Sequence, residues 1–320
     1  MERFQKPILL SILAGIGLYL GAMFLGDFQA TRDAILKVGL AGWAVILGLS
    51  LFNYALRYWR WEWYLQKLAH VRVPHRWHLA YYFCGFALST TPGKAGETVR
   101  SLYLKRHGIA YSHTLSTFFV ERFLDLLSIV LISCAAAVLF DGYGPVVAIT
   151  GIVVFSSLPL LHSPALVRVL ANVAGRYPGK IGKGLDHLGA LLKSSAMLLK
   201  NRELFVGLLT GVLAWLAEAV GFWYLLHLLG QDISLLMAVS IYGVAVLVGA
   251  ISFLPGGLGG TEAVMSLLLI SLGVDKSVAL AATLICRIAT LWFAVFIGII
   301  VAGILALRGV TPMPGEEVKV

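Results

Sequence analysis

Leu254-Pro-Gly-Gly-Leu-Gly-Gly-Thr-Glu262 interrupts an apolar run that extends from Leu235 to Leu272. A second interruption, Thr91-Pro-Gly-Lys-Ala-Gly-Glu97, follows the short apolar stretch Ala80–Thr91 and precedes Val99–Leu104. Proline lacks the helical N–H and glycine accepts dihedrals other residues avoid, so each stretch breaks a helix. At bilayer depth the freed backbone groups must be buried in protein or line a polar cavity. Glu97 precedes Arg122 by 25 residues and Glu262 precedes Arg287 by 25 residues, so one 165-residue shift relates both pairs. Both arginines lie inside hydrophobic segments, Phe118-Phe-Val-Glu-Arg-Phe-Leu-Asp125 and Thr283-Leu-Ile-Cys-Arg-Ile-Ala-Thr290. The spacing predicts two repeats, about 40–140 and 204–307, each reading helix, broken hairpin, helix.

Outward from these breaks the chain is membrane-like. Of its 320 residues 59% are hydrophobic and 13% charged, with mean hydropathy +0.87. A soluble domain runs nearer 45–50% apolar and about 25% charged. Spanning helices are expected at Ile8–Leu25, Leu40–Leu56, Leu115–Phe140, Pro145–Leu161, Leu204–Leu229 and Val278–Leu307. The runs do not alternate with period two, which excludes a barrel. The expected fold is therefore an all-α polytopic membrane protein, one transmembrane domain over residues 1–320. It has about six full spans plus two re-entrant hairpins in an inverted repeat.

The net charge of +9 sets topology rather than a nucleic-acid surface, because most Lys and Arg fall in short loops between apolar runs. Arg3 and Lys6 place the N-terminus in the cytoplasm, ahead of an uncleaved first helix. Arg57, Arg60, Lys67, Arg72 and Arg76 read as an internal loop, with Tyr58, Trp59, Trp61, Trp63 and Tyr64 as an interfacial aromatic belt. Asp27–Val38, Asp141–Gly144 and Gln231–Ser234 read as external. Residues 162–202 read as a cytoplasmic connector, in which Leu185, Leu188, Leu191, Leu192, Leu198 and Leu199 suggest one interfacial helical face. Arg308 and Lys319 favour a cytoplasmic C-terminus. On this charge pattern the first hairpin enters from the cytoplasm and the second from outside. Inverted repeats with broken helices recur in secondary transporters, with the ligand site near mid-membrane.

The candidate ligand-binding residues follow. Each break creates a helix N-terminus whose N–H groups and dipole attract anions, which nominates Pro92, Gly93, Gly96, Pro255, Gly256, Gly257, Gly259 and Gly260, with Lys94 adding charge. Close helix packing is the competing role for the glycines. A charge at the bilayer centre costs roughly 2.5–3.5 kcal/mol on insertion scales, so such residues face cavities and pair. They are Glu97, Arg100, Glu121, Arg122, Asp125, Glu218, Glu262 and Arg287. Equal spacing predicts the pairs Glu97–Arg122 and Glu262–Arg287. Cys84, Cys134 and Cys286 read as small buried hydrophobes, and the histidines form no metal-ligand set. No catalytic motif, cofactor or metal site is expected.

Thr91-Pro-Gly-Lys-Ala-Gly-Glu97, Val120-Glu-Arg-Phe-Leu-Asp125 and Leu254–Glu262 resemble signatures of the flippase-like membrane family. That family shares its domain with the transmembrane half of lysyl-phosphatidylglycerol synthases. The resemblance covers nearly the whole chain. It implies movement of a polar-headed lipid between leaflets: a phospholipid, an aminoacylated phospholipid, a hopanoid or a polyprenyl-phosphate-linked lipid. It also implies an inner-membrane location, with the synthase domain absent from a chain that stops at Val320. Membrane lipids are the expected partners, with a lipid-biosynthetic enzyme as a second and no nucleic acid. Two alternatives stand beside this: a small-anion secondary transporter with Glu97, Glu262 or Asp125 carrying protons, and a scaffold for a lipid-modifying enzyme. The sequence leaves the oligomeric state open.

Overall fold

A computed structural model describes residue 17 and residues 28–134, 139, 144–161, 163–176, 179–252 and 254–312. The run Ile8–Leu25 (apart from Gly17), most of the Asp141–Gly144 loop, and Lys319 lie outside the described residues. Every regular element among the described residues is helical. The first, α1 (Phe28–Ala69), is kinked at Gly39, whose φ of 63° falls in the left-handed region. Next come α2 (His75–Phe86), a 3₁₀ turn at Pro92–Thr98, α3 (Val99–Leu104) and α4 (Tyr111–Ser133). Then follow α5 (Gly144–Leu161), α6 (Pro164–Arg176), α7 (Lys180–Leu198), α8 (Asn201–Leu228) and α9 (Leu235–Ile251). A second 3₁₀ turn at Pro255–Gly257 leads to α10 (Gly260–Ser271), α11 (Lys276–Arg287), a π turn at Ile288–Trp292 and α12 (Phe293–Leu307).

Three helical stretches among the described residues are long and apolar enough to cross a bilayer: Arg32–Ala69, Asn201–Leu228 and Lys276–Leu307. Gly144–Pro159 and Leu235–Ile251 are apolar but shorter. Helix α8 packs along α1 and also meets α4, α9 and α11. Close approach on the α1 and α4 sides depends on Gly211, where a Cβ would come within 2.4 Å of Ser128 Oγ and 2.9 Å of Arg60 Nη1. The two breaks touch: a Cβ on Gly256 would lie 3.3 Å from Thr90 Cα. Leu258 leaves its turn extended and Gly259 opens α10, whose N-terminus therefore starts beside that contact.

Four sequence expectations need correction. Arg57 and Arg60 are not in a loop, because α1 continues to Ala69 and buries both (4% and 0% exposed). The aromatic belt is correspondingly thin. Trp61, Tyr64 and Tyr58 are buried in the packing, and only Trp59, stacked on Trp63 at 5.6 Å, is strongly exposed. The connector is two helices, α6 and α7. Leu192, Leu198 and Leu199 are buried while Leu188 is exposed, and the Ser116 hydroxyl of α4 donates to Leu191 O. The C-terminal part of α7 thus packs on protein, while Leu188, one turn before Leu192 on the same face, is left exposed. Cys84 and Cys286 are buried, but Cys134 is exposed.

Candidate functional site

A cavity of about 540 Å³ lies where the two breaks meet. Arg57, Lys94, Glu97, Arg122 and Asp125 line it from the N-terminal half, and Glu218, Tyr242, Gly256 and Arg287 from the C-terminal half. One flank is apolar: Ile149 and Val153 of α5 are 62% and 60% exposed, and Ile251 and Leu254 at the second break are also exposed. The cavity is charged on one side and greasy on the other.

Asp125 organises the charged side. Arg60 Nη2 donates to its Oδ1 at 2.6 Å, while Arg57 Nη2 and Arg122 Nη2 each lie 3.1 Å from its Oδ2. One carboxylate thus serves three guanidiniums. Arg60 is the best held, because its Nη1 also donates to Gly207 O at 3.2 Å. Arg57 and Arg122 are close enough to Asp125 for charge attraction but misaligned for hydrogen bonding. Their Nε and Nη2 atoms are buried without a hydrogen-bond partner. Unmet buried donors of this kind, on the charged side of the cavity, call for an acceptor.

At the first break the Thr91 hydroxyl donates to Leu88 O and accepts from Gly96 N, each at 2.7 Å. Gly93 and Lys94 are both left-handed, with φ of 58° and 56°. Left-handed backbone costs a non-glycine residue roughly 1–2 kcal/mol, so Lys94 is held at a cost. Its ammonium lies 5.8 Å from the Trp215 ring centre, and the Arg57 guanidinium carbon lies 5.6 Å from the same centre. No carboxylate among the described residues lies within ion-pair distance of it. Glu97 accepts from Ser89 Oγ at 2.7 Å, and Arg122 Nη2 is 3.9 Å from its other oxygen. The Glu97–Arg122 pair is therefore loose.

At the second break the pairing is tight. Arg287 Nε donates to Glu262 Oε1 at 2.8 Å, and its Nη2 donates to Gly256 O at 2.7 Å. Glu262 Oε2 accepts from Gly259 N at 2.8 Å, so the protein's own carboxylate occupies the N-terminus of α10. The π turn begins at the residue after Arg287. Such bulges re-aim side chains and are frequent at functional sites. Across the cavity, the Tyr242 hydroxyl donates to Glu218 Oε2.

Of the residues nominated from sequence, Gly93, Lys94, Glu97, Arg122, Asp125, Glu218, Gly256, Gly257 and Arg287 line the cavity. Pro92, Gly96, Pro255, Gly259, Gly260 and Glu262 shape or cap the breaks without lining it. Gly96 is a packing glycine, since a Cβ there would lie 2.5 Å from Leu88 Cβ. Arg100 and Glu121 are drawn away from the cavity. They pair at 2.7 Å, with the guanidinium 3.6 Å from the Trp61 ring centre. Sequence reasoning missed Arg57, Arg60, Trp215 and Tyr242. The signal for the first two is their spacing of three within a run whose residues 54, 57, 58, 61, 64, 65 and 68 are buried at helical intervals. No metal-binding cluster occurs among the described residues.

These features define a helical membrane protein built around a charged internal cavity with an apolar flank. The chain belongs to the lysylphosphatidylglycerol synthase TM region family, whose model matches residues 12–298. It is similar to a UPF0104 membrane protein of Pyrococcus horikoshii, 23% identical over 93% of this chain and 96% of the relative. It is also similar to two UPF0104 membrane proteins of Methanothermobacter thermautotrophicus. One is 25% identical over 83% of this chain and 85% of its own length, the other 34% identical over 32% and 31%. Family membership and the apolar helices together support a multi-pass membrane location.

Proposed function

We propose that this protein is a lipid translocator that moves a lipid with a polar or anionic head group between leaflets of the inner membrane. One observation carries the reading: Arg57, Lys94 and Arg122 bring under-used cationic donors to a buried cavity whose other flank is exposed and apolar. A phosphate-bearing head group meets the donors, because guanidinium and phosphate match in charge and fork geometry. The acyl or isoprenoid chains stay along Ile149, Val153 and Leu254. A carrier for small soluble anions has no use for that flank, so the lipid reading is favoured over it.

The two breaks are then the tips of re-entrant hairpins in an inverted repeat, with both termini cytoplasmic. Alternate opening of the halves around the fixed cavity carries the head group across. The chain acts on lipid without chemical conversion, and a lipid-biosynthetic enzyme is its natural supplier.

In proteoliposomes a fluorescent anionic phospholipid is expected to change leaflet faster with the protein than without, and Arg122→Gln is expected to abolish most of the gain. No acceleration for any of several lipid classes defeats the reading. Sidedness is tested separately: cysteine at Arg72 should label from the cytoplasm and cysteine at Asp232 from outside. Labelling of both from one side removes the inverted repeat.

A further inference from the structure

The carboxylates around the cavity divide by partner. Asp125 is held by three guanidiniums, Glu262 by Arg287, and Glu97 by Ser89 with Arg122 at longer range. Glu218 is different. It lies at mid-length in α8, is 6% exposed and lines the cavity, and its Oε2 accepts only a neutral hydroxyl, that of Tyr242. No ammonium or guanidinium among the described residues comes within ion-pair distance of it. The titratable and charged groups that face it are Tyr54 and Arg57 from α1, Lys94 from the first break, Tyr242 from α9, and Cys286 and Arg287 from α11. Three of these are cations that act on it across the cavity without contact.

We infer that Glu218 is a proton-binding site linked to anion binding in the same cavity, so that a proton and a phosphate-bearing head group enter together. The inference rests on the lipid-translocation reading above. Ionised, Glu218 offsets part of the positive potential set by Arg57, Lys94 and Arg287, and so competes with a phosphate. Protonated, it stops competing. By reciprocity, a bound phosphate makes Glu218 easier to protonate. The Tyr242 hydroxyl occupies Oε2, which leaves Oε1 as the atom that takes the proton. The only bond made is O–H, with a proton drawn from water on the loading side, and the same bond breaks on the release side. Asp125 and Glu262 are each held in close contact by guanidinium and Glu97 has Arg122 within 3.9 Å, so Glu218 is the cavity carboxylate with no cation among the described residues in ion-pair contact. A transmembrane proton gradient would thereby bias the direction of lipid movement.

The test uses purified full-length protein and short-chain phosphatidylglycerol, whose phosphodiester keeps one negative charge from about pH 5 to 9. In weakly buffered detergent solution, wild-type protein should take up as much as about one proton per bound lipid within some part of that range. Lipid affinity should weaken with rising pH by at most about tenfold per unit, the limit for one linked proton. Glu218→Gln should bind the lipid with no proton uptake and no such slope, whereas Glu218→Asp should keep both. In proteoliposomes a pH gradient should bias wild-type lipid movement and leave Glu218→Gln unbiased. Binding without proton uptake by the wild type anywhere in the range overturns the inference while leaving translocation intact. So does proton uptake that persists in Glu218→Gln. Failure of the wild type to bind or move any anionic lipid overturns the translocation reading, and this inference with it.

Discussion

The two Pro-Gly breaks look alike in sequence and behave differently in structure. At the second, Arg287 Nε and Nη2 are engaged by Glu262 and by Gly256 O, and Glu262 caps α10. At the first, Glu97 and Arg122 stand 3.9 Å apart, Lys94 has no carboxylate partner, and Arg57 and Arg122 keep unmet donors. The second break is closed electrostatically and acts as a fixed joint. The first is open and, on the proposed reading, supplies the anion seat. Likeness of motif therefore does not mean likeness of pairing: the same Pro-Gly and Glu–Arg pattern is closed by hydrogen bonds at one break and left open at the other.

The widest gap between the copies should appear in stability. Asp125→Asn leaves Arg57, Arg60 and Arg122 sharing no carboxylate at that point. Stranding buried charge costs about 3–5 kcal/mol, so thermal unfolding in detergent should show a severe loss. Glu262→Gln keeps an acceptor for Gly259 N or Arg287, and Arg287 keeps Gly256 O, so about 1–3 kcal/mol is expected. Equal losses in the two variants would erase the distinction between a shared hub and a local pair.

Transport should split the copies in the opposite sense. Lys94→Gln and Arg122→Gln remove cations with spare donors, and each should slow lipid movement by roughly tenfold to a hundredfold, the worth of one charge-assisted hydrogen bond. Their unfolding should stay close to wild type. Arg287→Gln should lower stability and transport together, because it unlocks Glu262 and the carbonyl of Gly256. Dual loss at Lys94 and a pure transport defect at Arg287 would reverse the assignment of the open and closed breaks.

Much of this asymmetry was invisible in the sequence for identifiable reasons. Proline and glycine act locally, so both breaks are legible, and equal spacing makes Glu262–Arg287 a specific expectation. Tightness is not local. It depends on whether a carboxylate also finds a backbone N–H, as Glu262 does at Gly259. Arg57 and Arg60 read as loop charges because basic residues among tryptophans and tyrosines normally mark an interface. Their burial is set by Asp125, which lies 65 residues after Arg60. Arg100 and Glu121 were legible as buried charges, but their withdrawal from the cavity follows from Trp61, Tyr82 and Phe118 gathering around the guanidinium. The whole of α1 down to Ala69 had to be recognised as helix before any of these contacts could be deduced.

The smallest expected difference lies in the glycines themselves. Gly93 and Gly256 have nearly the same left-handed φ, 58° and 61°, so an alanine at either position carries a similar backbone strain of roughly 1–2 kcal/mol. Their surroundings differ. A Cβ on Gly93 meets nothing within 4 Å, whereas one on Gly256 lies 3.2 Å from Leu291 Cδ2 and 3.3 Å from Thr90 Cα. Leu291 can yield by rotating, but the Thr90 backbone belongs to the other break and cannot move without parting the two. Gly256→Ala should therefore cost a further 1 kcal/mol or so in overpacking and should also slow transport, since it wedges the joint. Gly93→Ala should be milder on stability by that margin. Unfolding of the two variants side by side isolates the term, because the strain common to both cancels. Equal losses would mean that the contact between the breaks gives way freely and that the second is no more rigid than the first.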